Sequence, residues 1–190
     1  MRVAYFIALA VCFFAVLAGC QTKPTVNKVM DTYKILQSKK DSQSVYLTCA
    51  ASIDCHFARV DDILILDEKA KRPTAEAIKQ GLIRLEGSLL SAQQKYALSL
   101  AGGEHEVVVR FYPVSAERAE HFHIIHNFRT GHLYKMQMYR QKSSVSGSLM
   151  QVAAPGELCV DLLQDETVIR RFCRPYNAMT GLGEFVEKSI

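Results

Sequence analysis

From Ser44 onward the chain is a succession of short runs rich in β-branched and aromatic residues. "SVYLTC", "RVDDILIL", "LIRLEG", "KYALSL", "EHEVVVRFY", "EHFHIIHNF" and "LYKMQMYR" are seven of them, and the two arms flanking Glu166 in "ELCVDLLQDETVIRRFCRP" add two more. Gly, Pro, Ser and Asp stand between the runs, so each is bounded by turn formers. Strand-length runs at this spacing predict a mainly β fold, an antiparallel β-sandwich. One N-terminal amphipathic helix is expected beside it. In "NKVMDTYKILQSKK" Val29, Met30, Tyr33 and Leu36 recur at helical spacing, Asn27 stands at the cap position and Lys39-Lys40 close the favourable C-terminal end. A short second helix fits "PTAEAIKQG", with Thr74 as cap and Gly81 as stop.

Alternation specifies the faces. In "HFHIIHNF" it puts Phe122, Ile124, His126 and Phe128 on one side, and in "YKMQM" it puts Tyr134, Met136 and Met138 on one side. A three-residue connection at Thr130-Gly131-His132 would fold these runs into a hairpin, pairing Phe128 with Tyr134 and Ile124 with Met138.

A length of 190 residues suits one domain. The stretch Val3 to Gly19 is uncharged, follows Arg2 and ends in the small residues Ala18-Gly19. That is the pattern of a secretory signal, and the flanking Trp, Tyr and basic anchors of a permanent membrane span are missing. Leu17-Ala18-Gly19-Cys20 resembles the lipobox of bacterial lipoproteins. The resemblance implies that residues 1–19 are a signal peptide cut before Cys20, whose thiol carries a covalent diacylglycerol and whose new amino terminus is acylated. Residues 20–27 then form a lipidated tether, and residues 28–190 a single mostly β periplasmic domain. Gln21 in place of an aspartate implies, by the same resemblance, the outer membrane of a Gram-negative bacterium.

The chain carries 23 basic and 19 acidic residues, and loss of Arg2 with the signal leaves 22 basic ones. An excess that small argues against nucleic acid as a partner. Lys69, Lys71 and Arg72 beside Pro73 read as a solvated loop, with an anionic lipid or glycan as the alternative at about 1 kcal/mol per charge.

Of the six cysteines, Cys12 leaves with the signal and Cys20 is spent on lipid, so Cys49, Cys55, Cys159 and Cys173 remain. An even number in an exported chain reads as disulfides. Of the three possible pairings the local one is favoured. The small-residue loop "AASID" links Cys49 to Cys55, and folding the last two arms about Glu166 sets Cys159 opposite Cys173 on one face.

Few residue patterns in the chain carry recognisable chemistry. His121, His123, His126 and His132 cluster, and H-x-H on a strand aims His121 and His123 at one face, which makes them the candidate metal ligands. His126 points to the other face and His132 lies in the turn, so two exposed histidines and one hydrogen-bonded core histidine are the plainer reading. "HEVVV" at His105 has Val109 where a zinc-protease motif needs its second histidine. Asp61-Asp62, adjacent on an expected strand, project to opposite faces and make no acid/base pair. Neither a G-x-S-x-G nor a phosphate-binding glycine loop is present.

"YALSLAGGEHEVVVRFYP" followed by "GHLYKMQMY" resembles the core of small envelope lipoproteins with prealbumin-like or PEGA-like β-sandwiches. That resemblance implies a presentation or scaffolding module. The expected function is therefore an outer-membrane-anchored lipoprotein serving as a non-catalytic binding or structural module of the cell envelope. Its only cofactor-like group would be the lipid on Cys20, its anchor the membrane and its partner another envelope protein. A metal site at His121 and His123, or an enzyme whose site is assembled from residues distant in sequence, are the alternatives.

Overall fold

The computed structural model describes Ile35 and residues 43–49, 53–67, 72–86, 95–141, 156–176 and 183–190. Cys20, the signal and tether segments and, Ile35 apart, the expected N-terminal helix lie outside the described residues; Ile35 itself is helical and belongs to the buried core. In chain order the elements begin with β1 (Val45–Cys49), β2 (Asp54–Val60), β3 (Ile63–Leu64), β4 (Leu66–Asp67), β5 (Arg72–Pro73), α1 (Ala75–Lys79) and β6 (Ile83–Glu86). They continue with β7 (Lys95–Leu100), β8 (Gly103–Ser115), β9 (Arg118–Phe128), β10 (Leu133–Arg140), β11 (Leu158–Gln164), β12 (Thr167–Arg174) and β13 (Val186–Lys188).

These strands make a mainly β fold of two packed sheets. The larger runs β13-β12-β11-β10-β1-β7-β6, the smaller β3-β2-β8-β9, and β4-β5 form a separate two-stranded ribbon. Pairing is antiparallel throughout except between β1 and β10. The inward faces share one core, in which Leu98, Met136 and Val160 of the larger sheet are clustered with Phe57, Val109 and Ile124 of the smaller. Each such side chain contributes about 1.5–3 kcal/mol by leaving water. Rings interlock across the gap, with Phe122 edge-on to Phe172 at 5.2 Å and Phe128 edge-on to Tyr134 at 5.0 Å.

The alternation expected for β9 and β10 is observed, but their hairpin is not. Phe122, Ile124 and Phe128 are buried, as are Tyr134, Met136 and Met138, yet β9 pairs with β8 while β10 lies between β1 and β11. Residues 129–132 carry the chain from one sheet to the other, so faces expected side by side instead look at each other across the core. Either arrangement buries the same residues, and burial is indifferent to direction. The neighbouring crossing, from β7 to β8, runs through Ala101 and Gly102. A Cβ on Gly102 would lie 2.6 Å from Cγ2 of Thr130, and Gly103 has φ +138°, so both positions need glycine where the two crossings touch.

"RVDDILIL" is not one strand. Asp61 adopts φ 48° and turns the chain with Asp62, so that β3 folds back on β2 with Val60 opposite Ile63. An aspartate tolerates this backbone region, and its carboxylate is used there: Oδ1 accepts the Glu106 N–H at 2.9 Å. The short helix is as expected. Thr74 Oγ1 accepts the Ala77 N–H at 3.2 Å and Gly81 follows the last turn with φ +69°. No helix among the described residues is long and apolar enough to cross a membrane.

Candidate functional site

The four cysteines pair as expected. Cys49–Cys55 ties β1 of the larger sheet to β2 of the smaller, with a Cα separation of 6.1 Å. Cys159–Cys173 is a cross-strand bridge between β11 and β12 at 4.1 Å. The turn that aligns this second pair differs from a simple fold about Glu166. Asp165 and Glu166, with φ 49° and 65°, form a two-residue turn, and a register shift between Leu162 and Leu163 restores the opposition of Cys159 and Cys173. Among the described residues, Glu157, Cys159 and Cys173 are the one group of three ligand-type side chains close enough to share a metal, and the disulfide removes the two thiolates.

The histidines are distributed, not gathered. His121 and His123 are exposed on the outer face of β9, and His123 Nδ1 lies 3.5 Å from Glu106 Oε1. Partial burial, with the charges of Arg110 and His123, holds the His121 imidazole below its ordinary pKa. His126 turns inward against the rings of Phe128 at 4.8 Å and Tyr134 at 5.8 Å. Its packing is therefore aromatic where a hydrogen bond was expected, and burial together with Arg170 and Arg129 favours the neutral ring. His105 and His132 each meet an aspartate: His105 Nδ1 is 2.8 Å from Asp61 Oδ2 and His132 Nδ1 is 2.5 Å from Asp165 Oδ2. The second nitrogen of His105 lies 3.2 Å from the Ala101 carbonyl, so this imidazole is fully used in holding the fold. Lys69 and Lys71 lie outside the described residues, and Arg72 pairs with Asp67 in the β4–β5 ribbon.

A concave site lies at the opposite end of the sandwich, where β8, β10 and β12 finish and β9 and β11 begin. It is a cleft of about 290 Å³ walled by Val114, Leu158, Pro175 and Tyr176. Three guanidinium groups, from Arg118, Arg140 and Arg174, line it against a single carboxylate, Glu120. Arg174 and Glu120 face each other as a two-pronged pair at 2.9 and 2.8 Å, which uses up both charges. Arg140 donates one N–H to the Gly156 carbonyl at 3.0 Å. The Arg118 guanidinium forms no hydrogen bond or ion pair with a described residue.

Elsewhere three arginines are matched to acids. Arg59 meets Glu106 at 2.6 Å, Arg170 grips Glu187 at 2.6 and 2.9 Å, and Arg171 grips the buried Asp161 at 2.7 Å through both prongs. Hydrogen bonding to Asp161 raises the affinity of Arg171 for its proton still further. What distinguishes the cleft is that two arginines without an acid partner among the described residues, Arg118 and Arg140, share one concavity. Sequence reasoning passed over them because each sits alone in a different segment, at a strand end next to a turn, where a solvated charge is the normal occupant. The available signal was positional: Arg118, Arg140 and Arg174 all lie at strand termini that an alternating up-and-down order of β8 to β12 sends to one end.

The chain matches no protein-family model, no curated protein and no solved structure.

Proposed function

We propose that the protein is a lipid-anchored binding or structural module of the bacterial cell envelope, without catalytic activity. In this reading residues 1–19 are removed, Cys20 carries the lipid, residues 20–27 form the tether and the β-sandwich faces the periplasm from the outer membrane. The observation that carries it is the cysteine arithmetic: the four cysteines after Cys20 are all consumed by two bridges inside one domain. A chain so stapled suits an oxidising compartment, and Cys20, next to its apolar segment, is left for acylation. Buried methylenes supply about 0.8 kcal/mol each, so several acyl chains anchor firmly without a membrane-spanning helix. The pairing of His105 with Asp61 and of His132 with Asp165 supports a module over an enzyme, because these four groups are spent on holding turns and strand ends.

The test is membrane partition of a Cys20→Ser chain from which the signal has been removed. The expected result is release into the soluble fraction, with the acyl mass missing from the N-terminal peptide. Undiminished partition of the processed variant would overturn the anchor. Crosslinking in intact cells should further trap one reproducible envelope protein with the wild-type domain; turnover of a substrate by the domain would favour an enzyme instead.

A further inference from the structure

We propose that the cleft at the arginine end of the sandwich binds a phosphate monoester through Arg118 and Arg140. The inference rests on the reading of this domain as a binding module and names a ligand class for it. Charge selects the class. With Arg174 neutralised by Glu120 at 2.8 Å, two positive charges remain in the cleft, and a dianion balances them. A phosphate monoester carries about that charge near neutral pH and offers three acceptor oxygens. A single carboxylate would leave one guanidinium unmatched.

Donor supply agrees with this assignment. A guanidinium has five N–H donors in a planar fork suited to phosphate. Arg140 has given one of them to Gly156 and Arg118 none to any described residue, so both hold donors for a ligand. The Arg174–Glu120 pair contributes differently: it fixes one wall and withholds the remaining acid from the anion. The apolar walls indicate that the ligand is more than inorganic phosphate. Leu158 is buried at the base of the cleft, while Pro175 and the half-exposed ring of Tyr176 offer a surface for a small apolar or planar body. Rigidity comes from the bridge immediately behind: Cys159 and Cys173 are the next residues after Leu158 and before Arg174, and these two also face each other in the ladder.

The test titrates phenyl phosphate into the full chain in neutral detergent micelles, read by calorimetry. Saturable binding is expected, tighter than that of inorganic phosphate and weakening as salt is raised. Arg118→Ala and Arg140→Ala should each reduce affinity by about tenfold, the loss of one charge-assisted hydrogen bond, while Lys79→Ala, on the distant helix, should leave it unchanged. Both arginines are exposed, so circular dichroism should match the parent, and Arg118→Glu gives an independent check by charge reversal. Phosphatidic acid added to the micelles identifies the source. Displacement of phenyl phosphate assigns the site to a lipid headgroup, and unchanged binding assigns it to a soluble ester. Absence of saturation, or equal affinity in the Arg118→Ala/Arg140→Ala double variant, overturns the proposal. Failure of the anchoring reading would show separately, as unchanged partition of the Cys20→Ser chain.

Discussion

The two ends of the sandwich use charge in opposite ways. At the end where β9 passes into β10 and β11 turns into β12, several ionisable groups have partners that hold turns and strand ends. Asp165 accepts the Leu133 N–H at 3.0 Å and meets His132, Lys135 reaches Glu166 at 3.3 Å, and Asp61 holds both His105 and the Glu106 N–H. The buried Tyr134 hydroxyl accepts the Arg129 N–H at 2.9 Å and donates to Gln164 at 3.3 Å. At the other end three arginines face one glutamate. The difference teaches how to separate charges that hold turns from charges kept for something else. The first kind is lost to stability when removed, the second to binding.

Tyr134 gives the sharpest way to break that contrast. Tyr134→Ala removes a ring that is 1% exposed and orphans two partners, and should cost about 4 kcal/mol in chemical denaturation. Next comes the bridge behind the cleft. Cys159→Ala/Cys173→Ala opens a loop of 14 residues and should cost about 3 kcal/mol, and it should also weaken phenyl phosphate binding, since Leu158 and Arg174 lose their brace. Removing Cys49–Cys55, with a loop of 6, should cost less, about 2 kcal/mol, measured in the same way.

Arg174→Ala leaves Glu120 half-buried without its fork and should cost about 1–2 kcal/mol by denaturant midpoint. The aspartates of the closed end predict a pH effect. At Asp61 burial pushes the carboxyl up, but the hydrogen bonds from His105 and Glu106 and the charges of His105 and Arg59 bring it net below 3.8. At Asp165 the Leu133 N–H and His132 lower it. Both folded-state values lie below the unfolded one, so their stabilisation is complete above about 3.8 and is lost as pH falls through the folded values. An Asp61→Asn/Asp165→Asn chain should therefore show a flatter stability curve below pH 4 in acid titrations followed by circular dichroism. The smallest effect belongs to the open end: Arg118→Ala and Arg140→Ala should stay within about 0.5 kcal/mol of the parent. A larger loss would place these arginines among the turn-holding charges and erase the contrast.

Much of this was legible in the residues. Alternation placed Phe122, Ile124 and Phe128 on the buried face of β9, and the even separation of Cys159 and Cys173 put both on one side of a hairpin. The helix cap at Thr74 was readable for the same reason, being a contact between residues three apart. The Asp61 turn was not, because two aspartates inside an apolar run look like the polar phase of a strand until Glu106 and His105 arrive from β8 to hold them. The arginine cleft was invisible because its members come from β9, β10 and β12 and meet only at the strand ends.

By itself, then, the order of residues determined which side of β9 and of β10 is wet, where the turn formers stand and which cysteines can meet. These follow from the two-residue period of the extended chain and from short loops, and both are local. Tertiary structure decided which sheet each strand joins and which charges share an end. Burial rewards an apolar face equally whether its cover is a neighbour in the same sheet or a strand of the opposite one. Only the crossings at Gly102 and at residues 129–132, which send β8 and β9 to one sheet and β7 and β10 to the other, resolve that choice.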